Sequence, residues 1–299
     1  MPRRWQPDGA VAIVTGASSG IGRCLCELLL EQGCHVVAVA RRADRLANLK
    51  DFVRDRTAEG RPGALFPVAG DVTAEATLLR ALETATRVRG GAFDLLVNNA
   101  GIGAIGPFVE ASPERLRRVM EVNFFAPAEW TRRCVPALRL GRAPVICNIS
   151  SVLGHRAVPG KSEYCASKFA LHGLSDSIRA ELRRDGIQVT LVSPSTTKSE
   201  FFDVALDNRG SPRNEIADEP QERGDGQADS GRRPGGDHGL RRWLGWPPRR
   251  VARAALAAIR KRRDEVILST GGKLLVYADR LSPPAVNALL AATYRPRRR

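Results

Sequence analysis

The chain has 299 residues, 43% hydrophobic and 26% charged, enough to bury a sizeable core and too apolar for wholesale disorder. It holds no run of 18 apolar residues, and the basic start MPRRWQPDGAVAIVTG passes from a short apolar run straight into glycines, which argues against a secretory signal or a membrane span. A formal net charge of +15, much of it arginine, draws the chain to polyanions or anionic lipid at low salt; no specific nucleic-acid partner is expected, and peripheral association with a membrane stays open.

In chain order, AVAIVT (10–15) reads as a short strand, and GASSGIG leads from it into the helical pattern RCLCELLLEQG. HVVAVA (35–40) is a second strand, followed by RRADRLANLKDFVRDR with Leu46, Leu49 and Val53 at helical spacing. The alternation repeats: ALFPV before a helix at 74–89, FDLLVN before 112–138, PVICNIS before 161–184, then IQVTLVSP. Short apolar runs alternating with amphipathic helices predict an α/β fold, a parallel sheet covered on both faces.

From Asp207 to Gly239 the chain is dense in Gly, Pro and charge, and reads as a flexible insertion. Beyond it, PPRRVARAALAAIRKRRDEVILST predicts a helix with proline at its start and then a last strand, before a basic tail. The whole, 1–299, is expected to be one domain, with a core at 9–206, the insertion at 207–239 and the C-terminal part at 240–299.

Six cysteines (Cys24, Cys26, Cys34, Cys134, Cys147 and Cys165) lack the paired spacing of a zinc site and read as reduced, buried thiols of a cytoplasmic protein. His35, His155 and His172 lack metal-ligand spacing too, and no metal is expected.

The glycines of TGASSGIG stand at 16, 20 and 22, in the first strand-to-helix turn. Such a turn needs residues without Cβ where backbone approaches a pyrophosphate, and the helix N-terminus offers it unpaired N–H groups. At the end of the second strand, where a carboxylate would hold a free ribose 2′-hydroxyl, stand Arg41 and Arg42. Two guanidinium groups suit a 2′-phosphate, which favours NADP(H).

TGASSGIG, NNAG (Asn98 to Gly101), Asn123 in VNFFAP, ISS (149–151), and Tyr164 with Lys168 occur in the order and at the distances of the short-chain dehydrogenases/reductases. The chain resembles that family strongly over 9–206 and loosely beyond. The resemblance implies a single Rossmann-type doubly wound sheet and an oxidoreductase that uses NAD(H) or NADP(H) on a small-molecule carbonyl or alcohol, as a homodimer or homotetramer; Arg41 and Arg42 favour NADP(H), and Phe201, Phe202 and Leu206 favour an apolar substrate, lipid-like, steroid-like or a small ketone. It implies a cofactor site of Gly16, Ser18, Ser19, Gly20, Ile21, Gly22, Arg41, Arg42, Asp71, Val72, Asn99, Ala100, Gly101, Tyr164, Lys168, Pro194, Ser195, Thr196, Thr197 and Ser199. Ser195 stands where the family usually has glycine, which adds a Cβ near the nicotinamide. Asn98 is expected to tie neighbouring strands.

Tyr164 lies thirteen residues after Ser151, the family's spacing for its serine and tyrosine, so Ser151 rather than Ser150 is the match. Hydride addition to a carbonyl builds negative charge on oxygen, which needs a proton donor and a second hydrogen bond. The resemblance gives Tyr164 the acid/base role and Ser151 the carbonyl contact. Lys168 would lower the Tyr164 pKa and bind the ribose, and Asn123 would hold a relay water. His155, Phe201, Phe202 and Leu206 are expected to line the substrate pocket. Packing beside that pocket is favoured for the C-terminal apolar stretch, with membrane docking as the other reading. The alternative function is a non-catalytic NADP-binding protein, or one associated with membrane or nucleic acid.

Overall fold

A computed structural model describes residues 4–56, 63–195, 197, 201, 205–207 and 245–294. Seven strands, β1 (Val11–Thr15), β2 (His35–Ala40), β3 (Leu65–Ala69), β4 (Leu95–Asn98), β5 (Val145–Ile149), β6 (Gln188–Ser193) and β7 (Glu265–Ile267), form one sheet in the order β3-β2-β1-β4-β5-β6-β7. Every pairing is parallel. The order reverses between β1 and β4, the place where open α/β sheets leave a crevice at the strands' carboxyl ends. The short β3, which carries Pro67, and the three-residue β7 form the two edges.

Both faces of the sheet are buried, which is why its central strands read as continuous apolar runs. Successive side chains alternate between the faces: Ala12 and Val14 join a core with α1 (Gly20–Leu30), α2 (Ala43–Arg56) and α7 (Pro248–Arg260). Val11 and Ile13 join the opposite core with α3 (Glu75–Val88), α5 (Ala126–Leu138) and the end of α6 (Ser162–Leu182). Each fully buried Val or Ile there contributes about 1.5–3 kcal/mol. In α7, Ala252 and Ala255 are small enough to let the helix lie close to α1, and Arg249 pairs with Glu27 and Glu31 of α1 at 3.1 and 3.0 Å. The predicted doubly wound sheet with helices on both faces is thus the observed one.

Two local features depart from the expectation. The helix expected over 112–138 is α4 (Pro113–Met120), one π turn (Glu121–Phe125), and α5. The wider turn falls just before Pro127, which has no N–H to donate to the Asn123 carbonyl as an unbroken α-helix would require. After β7 the chain forms two further helices, α8 (Thr270–Leu281) and α9 (Pro283–Thr293), where the sequence suggested only an apolar stretch and a tail. Ser269 caps α8 by accepting a 3.0 Å bond from the Gly272 N–H, and Pro283 opens α9 with its φ already suited to a first turn. Asp207 apart, the predicted insertion at 207–239 lies outside the described residues, as do Thr196, Ser199, Phe202 and Arg295 to Arg299.

Candidate active site

A cavity of about 860 Å³ opens at the carboxyl ends of β1, β4, β5 and β6. One end is the glycine turn. Gly16 has φ +68°, and a Cβ there would lie 2.7 Å from Asn99 Nδ2; at Gly22 it would lie 2.4 Å from both Asn99 Nδ2 and the Gly16 carbonyl oxygen. No side chain fits at either position. The closeness follows from a hydrogen-bond web: Asn99 Nδ2 donates to the carbonyls of Thr15 and Gly16 at 2.9 and 3.2 Å, and Thr15 Oγ1 accepts from the N–H groups of Asn99 and Ala100 at 3.0 and 3.1 Å. The NNAG segment is thereby locked to the glycine turn, and the N-terminus of α1 faces the cavity with no acidic residue in its first turn. Asn98 donates instead to Asn148 Oδ1 at 2.9 Å, tying β4 to β5.

Arg41 and Arg42 line the same end. Arg42 donates to Ser18 Oγ at 3.2 Å and to Ser19 Oγ at 3.0 Å, so the second strand-to-helix turn is held over the first. Asp71 and Val72 also line it. Burial raises the Asp71 carboxyl, but bonds from Thr73 and Arg118 outweigh it and hold the pKa below the ordinary carboxylate value.

At the other end Ser151, Tyr164 and Lys168 meet. Ser151 is the cap of a 3₁₀ turn, Val152–Gly154, and its hydroxyl accepts from the Leu153 N–H at 3.1 Å. It also shares a side-chain hydrogen bond with Tyr164. Tyr164 and Lys168, one turn apart on α6, are both buried; the ammonium lies 5.7 Å from the tyrosine ring centre and donates to the Ile149 carbonyl at 3.1 Å. The expected lowering of the phenol by Lys168 is not found. Burial pushes Tyr164 above its ordinary value, with the Ser151 bond opposing, and burial likewise pushes Lys168 down to about 8.

Asn123 is buried just behind this group rather than in the cavity wall. Its amide donates to the Ile102 carbonyl and to Ser167 Oγ, both at 3.0 Å, and accepts from the Ile102 N–H at 2.8 Å. Both amide hydrogens are therefore taken by the protein. The side chain fixes the π turn against the loop after β4 and against α6.

Pro194, Ser195 and Thr197 line the cavity beyond β6. Ser195 has a partner that its family-atypical identity explains: its hydroxyl and that of Ser269, the cap of α8, are 2.7 Å apart. This bond joins the cavity floor to a roof that the sequence did not reveal. Leu275 of α8, with Leu290, Thr293 and Tyr294 at the end of α9, lines the same cavity, so the C-terminal segment packs beside the pocket. Phe201 sits edge-on to Tyr164 with ring centres 5.7 Å apart, and Leu206 lines the cavity as well.

His155 corrects an expectation. It does not line this cavity: the 3₁₀ turn after Ser151 carries it to the other side, where its Nε2 lies 2.7 Å from Glu265 Oε1. The thiols play no part in the site; burial raises Cys134 and Cys147 to about 12, and no cysteine lines the cavity.

Residues 10–209 match the family profile described as short chain dehydrogenase. Dehydrogenase/reductase SDR family member 7B of Bos taurus is 30% identical over 305 residues, covering 97% of this chain and 83% of that one. A dehydrogenase/reductase SDR family protein 7-like protein of Anopheles gambiae is 35% identical over 205 residues, 68% of this chain but 64% of the relative, so the match spans a little under two thirds of that protein. Among solved structures, a short chain dehydrogenase of Burkholderia cenocepacia J2315 in complex with NADP superposes with a TM-score of 0.70 at 27% identity, over 96% of this chain and 99% of its own. One from Sphingobium yanoikuyae in complex with NADPH gives 0.68 at 25% identity, over 97% and 98%. The chain belongs to the short-chain dehydrogenase/reductase family.

Proposed function

We propose that the chain is an NADP(H)-dependent oxidoreductase that interconverts a small carbonyl compound and its alcohol, with Tyr164 as the general acid/base. The observation that carries this reading is the meeting of Ser151, Tyr164 and Lys168 in one cavity with the glycine turn and Arg42. The residues present fit a dinucleotide: the turn at Gly16 and Gly22 is a cradle that a Cβ would fill, and two guanidinium groups stand at the ribose end. The nicotinamide, when bound, supplies or accepts the hydride. NADP(H) rather than NAD(H) is supported by Arg41 and Arg42 in place of a carboxylate, and by the NADP and NADPH complexes of the two relatives.

Ser151 and Tyr164 already share a hydrogen bond, so a carbonyl oxygen seated between them takes one bond from each. Burial keeps the phenol protonated, the form needed to hand a proton to the oxygen as charge develops there. Lys168 holds a positive charge beside the ribose position, and Asn123 fixes the helix turn behind it. Phe201, Leu206, Leu275 and Leu290 make the substrate end apolar. A single-domain chain is supported by β7 completing the same sheet and by α7 packing on one of its faces. A cytoplasmic location is supported by six free thiols, and a homodimer or homotetramer by exposed Phe108 and Phe125. No helix among the described residues is long and apolar enough to cross a membrane.

The test is NADPH oxidation over a panel of ketones and aldehydes with Tyr164→Phe as the blank. Loss of turnover by roughly 10²–10⁴-fold with NADPH binding retained is expected. Retained turnover in the variant would sink the acid/base assignment. Replacing Arg41 and Arg42 with alanine should weaken NADPH binding far more than NADH binding; equal losses would remove the case for the 2′-phosphate.

A further inference from the structure

The stretch that places Ser151 in the active-site cavity places His155 in a second cavity, of about 310 Å³. Three elements meet there. His155 follows the 3₁₀ turn, His172 stands on α6 one turn after Lys168, and Glu265 begins β7. Their imidazole nitrogens and carboxylate oxygen lie within 4.8 Å of one another. The two rings meet edge to face with centres 4.4 Å apart, and Glu265 Oε1 also accepts from Ser193 Oγ at 3.2 Å.

The His172 Nε2 atom is buried and has no hydrogen-bond partner, on a residue only 8% exposed. A buried polar atom left so is unfavourable and calls for a ligand. The edge of the His172 ring packs against the Gly154 backbone, where a Cβ would lie 2.4 Å from that nitrogen, so the residue after the 3₁₀ turn's Leu153 must be glycine for the ring to sit there.

We propose that His155, His172 and Glu265 form a binding site for a divalent transition-metal ion, Zn²⁺ foremost. Two imidazoles and a carboxylate are a donor set that such ions take with a water as fourth ligand, whereas Mg²⁺ and Ca²⁺ prefer oxygen throughout. Bonds of about 2.0–2.1 Å place tetrahedral ligand atoms roughly 3.3 Å apart. The widest pair must therefore close by about 1.5 Å at most, while His155 and Glu265, now hydrogen-bonded at 2.7 Å, must open by about 0.6 Å and exchange that bond for the ion; ring rotation and the Glu265 side chain supply both. Asp176 and Asp279 in the cavity wall are each paired with an arginine, Arg179 at 2.6 Å and Arg156 at 2.9 Å, and Arg280 stands there too, so the negative charge that favours a cation is that of Glu265. None of the three ligands lines the active-site cavity, so the ion is structural. It would staple the turn that carries Ser151 to the helix that carries Tyr164 and Lys168, and both to the last strand. The site is independent of the cofactor and substrate reading.

The full chain, stripped with EDTA, is titrated with ZnCl₂ by calorimetry and by thermal unfolding. Expected are one tight equivalent per chain and a Tm raised by about 5 °C at roughly 100-fold excess over Kd. Both should be lost in His172→Asn and in Glu265→Gln. Should His172→Asn fail to fold, His155→Gln, at a partly exposed position, takes its place. Co²⁺ should give the visible bands of a four-coordinate nitrogen and oxygen site. Absence of a tight equivalent, its survival in the variants, or a thiolate-to-Co²⁺ charge-transfer band would overturn the proposal.

Discussion

In the floor of the active-site cavity, Gly16, Gly22 and Asn99 meet so closely that a methyl group on either glycine would lie within 2.7 Å of its neighbours. In the roof, a Cβ on Gly271 of α8 would meet nothing within 4 Å, and Leu274, Leu281 and Leu289 face solvent. The floor is fixed by backbone approach and has no tolerance. The roof rests on a capping serine, the Ser195 contact, and an ion pair between Arg156 and Asp279 at 2.9 Å, so its side chains can vary while its place is kept. Chemistry common to a family belongs in the first kind of region, and choice of substrate in the second.

The largest effect is expected away from the floor, where α4 meets α6. Arg115 of α4 is fully buried and donates to Glu163, the residue before Tyr164, at 3.0 Å through Nε. Arg115→Met should lower stability by about 3–5 kcal/mol in urea unfolding, because it strands a buried carboxylate. The double variant with Glu163→Gln should recover part of that loss, and full additivity would show that the pair is not coupled. Next comes Gly22→Ala, expected to destabilise by about 1–3 kcal/mol through overpacking and to weaken NADPH binding in a fluorescence titration. Undiminished binding would mean that the floor yields more than its geometry implies.

Lys168 gives a pH test of the same region. Its folded pKa is about 8 against an ordinary 10.5, so between these values the unfolded chain holds a proton that the folded chain has released. Stability contributed by this group therefore rises with pH across that window. Metal-free, cofactor-free Lys168→Met should be more stable than the parent below pH 8, with the gap narrowing toward pH 10. A gap independent of pH would refute the buried-charge account. The smallest effect is expected in the roof, where Gly271→Ala should be neutral or stabilising by up to about 1 kcal/mol in Tm measurements. A marked loss would place the roof under the same constraint as the floor.

That contrast also explains what the sequence disclosed. The strand and helix alternation was legible because β1, β2 and β5 are buried on both faces and α1 and α7 keep one apolar face. The glycine turn was legible because close backbone approach admits few residue types, and Ser151, Tyr164 and Lys168 because their spacing brings them together on one cavity. The helices α8 and α9 were hidden because Gly271, Gly272, Pro283 and Pro284 read as breaks, whereas they fall within the first turns of the two helices. His155, His172 and Glu265 could not be linked from spacing, since 110 residues separate the first from the last. The π turn depends on Pro127, which the helix expected over 112–138 ran straight through.

The ends of the sheet carry a further consequence, for behaviour in a crowded solution. In β3 the backbone N–H groups alternate between the neighbouring strand and the outside, and Gly70 just beyond it donates inward to Ala40 at 3.0 Å. By that two-residue period Pro67 occupies an outward position, where an N–H would otherwise invite another chain. At the opposite edge β7 is three residues long, too short a template for a stranger's strand. Stacking of molecules edge to edge, the route toward fibres, is thus blocked at both rims while the catalytic crevice between them stays open.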